Sequence, residues 1–284
     1  MAVASPKPGG AIAALLPDGR LHLQHGPIDI VAEAWGDPRA VRAGYSRAAG
    51  RFATILGELV AELPALRSED DDVSCGVARR MKAAVAPFRP AFITPMAAVA
   101  GAVAEDVVGA LAGPGIVRAY ANNGGDIALM LTPGEVLTCA LAGDFGLSRV
   151  TIRASDPVRG IATSGWRGRS FSLGIADAVT VVAQTAAAAD AAATMVANAV
   201  SVDHPGIRRR PARDLQCDSD LGDLMVTVGV DRLEPDARAA ALAAGLRAAE
   251  SFRARGLIEG AALFLQGEMR ATGALALEQG EASG

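Results

Sequence analysis

An α+β fold, antiparallel sheets packed against a few long helices, is what this sequence predicts. Short alternating or β-branched segments follow one another across tight turns, a few longer stretches carry apolar residues at helical spacing, and 51% of the 284 residues are hydrophobic. Alanine makes up roughly a fifth of the chain, so much of that apolar content is small side chains suited to close helix packing.

The elements can be taken in order. Ala11–Leu16 and Leu21–Gln24 read as strands around the turn Pro17-Asp18-Gly19-Arg20, and after His25-Gly26-Pro27 a third strand runs over Ile28–Ala34. From Asp37-Pro38 to about Leu63 the spacing becomes helical, with Asp37 as N-cap and Val41, Tyr45, Phe52, Leu56, Val60 and Leu63 expected on the buried face. Ser68–Asp72 is an acidic loop, and Val77–Val85 is a short basic helix stopped by Pro87 and Pro90. Thr94 and Pro95 open a helix through Leu111, with Gly113-Pro114-Gly115 as its stop. Strands are expected over Val117–Ala121, Ile127–Leu131, Val136–Ala142, Val150–Ala154 and Ala178–Ala183. A buried helix over about Thr185–Val200 comes next, then a long polar loop over Asp203–Asp223 holding Arg208-Arg209-Arg210. A strand over Met225–Val230, a helix from Pro235 to about Arg255 and a last strand over Ile258–Gln266 complete a single domain, with residues 1–92 as meander and helices and 93–284 as the motif-bearing part.

Charge and cysteine usage narrow the function classes. Twenty-seven basic and 31 acidic residues leave a net charge of −4, which lacks the basic footprint of a nucleic-acid binder. Cys75, Cys139 and Cys217 are far apart with no CxxC pair, so neither a disulfide framework nor a metal knuckle is expected. Residues 1–10 lack the basic start and apolar stretch of a signal peptide, and a cytoplasmic location is the expectation. Thr94–Ala104 and Ala178–Val200 are membrane-like in Ala and Val content, but the first meets Glu105-Asp106 and the second carries Gln184, Asp190 and Asn198. Both read as buried segments of a protein with no membrane span.

Four segments put small or oxygen-bearing residues where bulkier ones would pack better. The first is Ile93–Gly101, which includes Thr94. In the second, Asn122-Asn123-Gly124-Gly125-Asp126, glycine allows positive φ and close backbone approach while the Asn amides offer donors and acceptors to a heterocycle. A type I′ hairpin turn accounts for the same pattern, except for Asp126. In the third, Thr163, Ser164 and Gly165 offer hydroxyls and successive amides for an anion, and Trp166 could stack on a flat ring; a solvated turn and a core Trp are the plain alternatives. In the fourth, Asp190 and Thr194 lie four apart on one helix face, the hard-oxygen donors that Mg²⁺ takes beside water and phosphate; alternatively Asp190 caps a helix starting at Ala191. His22 and His25 point to opposite faces of a strand, His204 sits in the polar loop, and no Ser-His-Asp order, Walker loop or GxGxxG occurs.

In this order, over about Ile93–Gln266, the segments resemble the ApbE superfamily, whose founding enzymes are FAD:protein FMN transferases. They are most similar to its branch of short cytoplasmic proteins with a PMAAVAG helix, an NGGD turn and an ADAAAT helix. Ser219-Asp220-Leu221-Gly222-Asp223 shares that similarity. The resemblance implies a flavin site, FAD or FMN, bordered by Gly124, Gly125 and Asp126 and by Thr163, Ser164 and Gly165, with Asp190 and Thr194 on Mg²⁺. The transferases carry a His-(apolar)-Ile-Asp-Pro stretch where this chain reads Ser172-Leu173-Gly174-Ile175-Ala176-Asp177-Ala178-Val179. The His and Pro are absent, so the expectation is a pocket for a flavin or other heterocyclic, nucleotide-like ligand rather than FMN transfer to a threonine. Asp177 and Asp126 are then the expected proton carriers. The alternatives are a binding protein that catalyses nothing, or an enzyme acting on another cofactor such as a pterin in one-carbon metabolism.

Overall fold

The computed structural model describes residues 10–140 and 149–275, and by backbone contacts these divide into two units. The first holds the described residues through Leu137 with Ile152–Ile161 and Thr185–Ala187. The second holds the described part of Thr138–Thr151, Ala162–Gln184 and the described residues from Ala188.

In the first unit the chain opens as the expected meander, β1 (Ile12–Leu15), β2 (Leu21–His25) and β3 (Ile28–Gly36). Along β3, Ile28, Ile30, Ala32 and Ala34 are buried while the residues between them are not, the period-2 signature of a sheet with one face on the core. Helix α1 (Pro38–Ala61) starts at Asp37, whose carboxylate accepts from the Arg39 and Ala40 amides. Short α2 (Leu63–Leu66) and α3 (Gly76–Val85) follow, then a 3-10 turn at Pro95–Ala98 that leads into α4 (Val99–Leu111). Thr94 stands at the cap position of that turn, but its side chain makes no capping bond, so the continuous helix expected from Thr94 is divided in two. Strands β4 (Ile116–Asn123) and β5 (Asp126–Leu131) complete the sheet, ordered β1-β2-β3-β4-β5-β8, where β8 (Gly160–Ser164) enters at residues 160–161. These pairings are antiparallel, and α4 lies on β4, β5 and α1.

The buried face of α1 differs from the expectation. Gly44, Ala48, Phe52, Ile55 and Leu59 point inward, whereas Val60 is 57% exposed. A Cβ at Gly44 would lie 2.9 Å from the Leu111 carbonyl oxygen, so close backbone approach at Gly44 turns that glycine inward beside the large residues Phe52, Ile55 and Leu59.

Strands β6 (Val136–Ala140) and β7 (Arg149–Arg153) form a separate two-stranded sheet; the expected extension of β6 to Ala142 lies outside the described residues. In the second unit the order is β8-β9-β12-β13, with β9 (Ala178–Ala183), β12 (Gly260–Leu265) and β13 (Glu268–Gly273); β9 and β13 both pair antiparallel with β12. Helix α5 (Ala186–Ala199) follows β9. The expected polar loop over Asp203–Asp223 contains β10 (Ile207–Pro211), paired antiparallel with β11 (Met225–Val230), and the single turn α6 (Ala212–Leu215). Backbone pairing with β11 holds the three arginines extended although their residue type favours no strand. Helix α7 (Pro235–Ala254) packs on β12 and β13. The last strand expected from Ile258 to Gln266 ends at Leu265, where Gln266-Gly267 turns the chain into β13.

Candidate functional site

The candidate residues fall into two groups, one in each unit. In the first, Asn123 and Asp126 are cross-strand partners joined by Gly124 (φ 67°) and Gly125 (φ 115°), so positive φ at both central positions makes the two-residue turn. Asn122 Oδ1 accepts from the Gly125 amide at 2.8 Å, which fixes the turn from within. Asn123 is 4% exposed and its Nδ2 donates to the Ala100 carbonyl oxygen at 3.1 Å, pinning the turn to the first turn of α4. Asp126 is buried at the start of β5. Among the described residues no heavy atom beyond the chain neighbours lies within 4 Å of a Cβ built on Gly125, so that side of the turn is open space. Thr94 is buried ahead of the 3-10 turn, and its carbonyl oxygen accepts from Ala97.

Along β4, Tyr120 precedes Asn122 by two residues and shares its face, with Glu33 as its partner across the sheet. Burial pushes the Tyr120 hydroxyl and the Glu33 carboxyl above their ordinary values; Arg20 and Arg118 partly oppose the shift at Glu33. Neither residue belongs to a recognisable motif. Only the β3–β4 register brings this carboxyl to the face that bears Asn122, opposite the face of Asn123 and Asp126.

In the second unit the Thr163-Ser164 end of β8 lies beside β9, where the Thr163 and Thr180 hydroxyl oxygens are 2.9 Å apart. Gly165 then runs against the returning chain: a Cβ there would stand 2.5 Å from the Asp177 carbonyl oxygen. The Trp166 amide donates to the Ala176 carbonyl oxygen at 3.0 Å. Asp177 Oδ1 accepts from Arg167 Nε at 2.6 Å, while Oδ2 accepts from the Gln266 amide at 2.5 Å. The Arg167 guanidinium carbon lies 5.2 Å from the centre of the Trp166 ring. Sequence reasoning missed Arg167 and Gln266. A cation directly after a loop Trp was the available signal for the first, and the Gln-Gly pair at the end of an apolar run for the second.

Helix α5 starts at Ala186, so Asp190 sits inside the helix and does not cap it. Asp190 and Thr194 are both half-buried, one turn apart on one face. Among the described residues no group of three His, Cys, Asp or Glu gathers to hold a metal. One carboxylate and one hydroxyl fit an ion that keeps most of its water or takes ligand phosphate, as Mg²⁺ does, and do not fit a closed protein cage. The N-terminal turn of α5 is held from α4: Glu105 Oε1 accepts from the Ala187 amide at 2.7 Å, and a Cβ on Gly101 would fall 2.2 Å from the Ala186 carbonyl oxygen. Among the described residues no helix is long and apolar enough to cross a membrane.

Comparison with known proteins adds relatives. A UPF0280 protein of Methanopyrus kandleri is 38% identical over 157 residues, which are 55% of this chain and 62% of that protein. One from Methanococcoides burtonii is 38% identical over 130 residues, 45% of this chain and 54% of the relative. One from Methanoculleus marisnigri is 43% identical over 119 residues, 40% and 49% of the two chains. The matches thus span between about half and 62% of these relatives' own lengths, and their names state no activity. The family model described as "AbpE bacteria" matches residues 13–271, nearly the whole chain, and the protein belongs to that family.

Proposed function

We propose that this protein is an ApbE-superfamily member that binds a flavin or similar heterocyclic, nucleotide-like ligand with Mg²⁺. The observation that carries the reading is the Gly124-Gly125 turn, braced by Asn122 and Asn123 yet open beside Gly125, with the buried Asp126 at its foot. In this reading Thr94, Asn122, Asn123, Gly124 and Gly125 are the candidate contact residues of the first unit taken by itself, and Thr163, Ser164, Gly165 and Trp166 those of the second taken by itself. Asp190 and Thr194 would hold the Mg²⁺, which when bound supplies charge to a ligand phosphate. Asp126 and Asp177 are the proton carriers in this reading, and both carboxylate oxygens of Asp177 have donors.

That engagement of Asp177, with the absent His and Pro, favours a second reading in which the ligand is bound and not turned over. The protein would be titrated with FMN, FAD and tetrahydropterin by calorimetry, with and without Mg²⁺, in wild type and Asp190→Ala. Flavin binding that Mg²⁺ strengthens only in wild type supports the first reading. Absence of any flavin binding overturns it, and pterin binding alone redirects it to one-carbon chemistry. Release of AMP from FAD in the presence of a threonine-bearing acceptor would establish transferase activity and exclude a purely binding role.

A further inference from the structure

We infer that Arg167 is an anion-recognising residue, reading a phosphate-type group of the ligand, and that Asp177 is its positioning residue. The inference extends the reading above by naming the charged part of the ligand. It concerns a group of residues within the second unit alone.

The guanidinium is held from two directions. Its Nε donates to Asp177 Oδ1 at 2.6 Å, and its central carbon lies over the Trp166 ring, 5.2 Å from the centre. Asp177 is itself fixed, since its other oxygen takes the Gln266 amide and its own amide donates to the Phe264 carbonyl oxygen at 2.9 Å. The Trp166 amide is fastened to Ala176, the residue before Asp177. The position of the guanidinium is therefore set by Asp177 and Trp166, which backbone contacts with Ala176, Phe264 and Gln266 hold in place before any ligand arrives.

What remains unused is the fork. Among the described residues, neither terminal nitrogen of Arg167 has a protein acceptor, and the side chain is 57% exposed. Two parallel N–H donors of fixed spacing match two oxygens of a phosphate or carboxylate, and a guanidinium whose rotamer is already selected loses less entropy on binding. A surface arginine that served only to pair with Asp177 would need no aromatic platform. The indole N–H of Trp166 is buried with no acceptor among the described residues. Asp177 neutralises one charge, so a monoanion is weakly attracted, and a multiply charged phosphate or pyrophosphate is the anion the pair selects.

The test is calorimetric titration of the full chain with inorganic pyrophosphate, FMN and riboflavin, in wild type, Arg167→Met, Arg167→Lys and Asp177→Asn. The expected result is pyrophosphate and FMN affinity lowered about tenfold or more by Arg167→Met, less by Arg167→Lys, with riboflavin affinity unchanged. Asp177→Asn keeps an acceptor for Gln266 and releases the guanidinium, and should weaken FMN while leaving riboflavin alone. Equal pyrophosphate affinity in wild type and Arg167→Met, or no pyrophosphate binding to wild type, overturns the inference. Arg167-dependent pyrophosphate binding without flavin binding sustains it while removing the flavin reading. FMN binding indifferent to Arg167 does the reverse.

Discussion

The Gln266 amide donates to Asp177 across 89 positions of sequence, and Gln266 is the one non-glycine residue with positive φ (44°) among those described. Its side chain reaches the other way: Oε1 accepts from the Leu233 amide at 2.9 Å and Nε2 donates to the Asp231 carbonyl oxygen at 2.7 Å. A left-handed conformation costs an L-residue about 1 kcal/mol, and these three bonds offset that cost. Gln266→Ala keeps the strain and loses both side-chain bonds, so it should destabilise by about 2 kcal/mol in urea unfolding. Gln266→Gly relieves the strain and should be the milder change; the opposite order would mean that the strain at this φ is smaller than the backbone entropy a glycine loses on folding.

Two of the three candidate glycines, Gly165 and Gly125, should respond differently to alanine. At Gly165 a Cβ meets the Asp177 backbone oxygen at 2.5 Å, so Gly165→Ala must push two chain segments apart, with a loss of about 3 kcal/mol or misfolding. At Gly125 the space is open and only φ resists, so Gly125→Ala should cost about 1–2 kcal/mol, leave a folded protein and weaken the proposed ligand. Thermal unfolding of both variants separates the two situations.

Glu105 satisfies an α5 amide that the helix itself leaves without a partner. Glu105→Ala should destabilise by about 1 kcal/mol and speed hydrogen exchange at Ala187, whereas Glu105→Gln, which keeps the acceptor, should lose less. Unchanged exchange at Ala187 in Glu105→Ala would show that the bond does not hold the helix end.

Arg51 donates to Glu58 at 2.6 and 2.7 Å, and these hydrogen bonds hold the Glu58 carboxyl below its ordinary value of 4.5. A carboxyl depressed in the folded state contributes stability above its unfolded value and loses it as pH falls through the folded one. Stability should therefore decline between about pH 5 and pH 3, with a shallower decline in Glu58→Gln. A third of the Glu58 side chain is exposed, so screening limits the difference to a few tenths of a kcal/mol. Chemical unfolding of both proteins across that range measures it.

Burial pushes the Cys139 thiol up to about 11, while Cys217 is exposed. The thiolate is the nucleophile, so iodoacetamide at pH 8 should label Cys217 well before Cys139, as peptide mass spectrometry would show. Faster labelling at Cys139 would mean that its strand opens readily.

Features written in local chemistry were legible in the sequence. Asp37-Pro38 fixed the start of α1, alternation marked β2 and β3, and Asn-Gly-Gly marked a positive-φ turn, because caps, pleats and turns depend on residues a few positions apart. Where strand pairing supplied the order, the sequence misled: Arg208–Arg210 looked like loop, and β13, with its mixed polar composition, was missed. The face of α1 went astray because large apolar residues signal burial while close helix packing selects glycine and alanine.

The candidate site divides the same way. The sequence by itself determined the residue types, their order and the one-turn spacing of Asp190 and Thr194. The tertiary structure decided that Asp177 clamps Arg167 and Gln266, that Glu105 holds the start of α5, and that Glu33 lies opposite Tyr120. A turn or helix repeats its own geometry over three or four residues, but a contact between positions 177 and 266 exists only once two strands have paired in register.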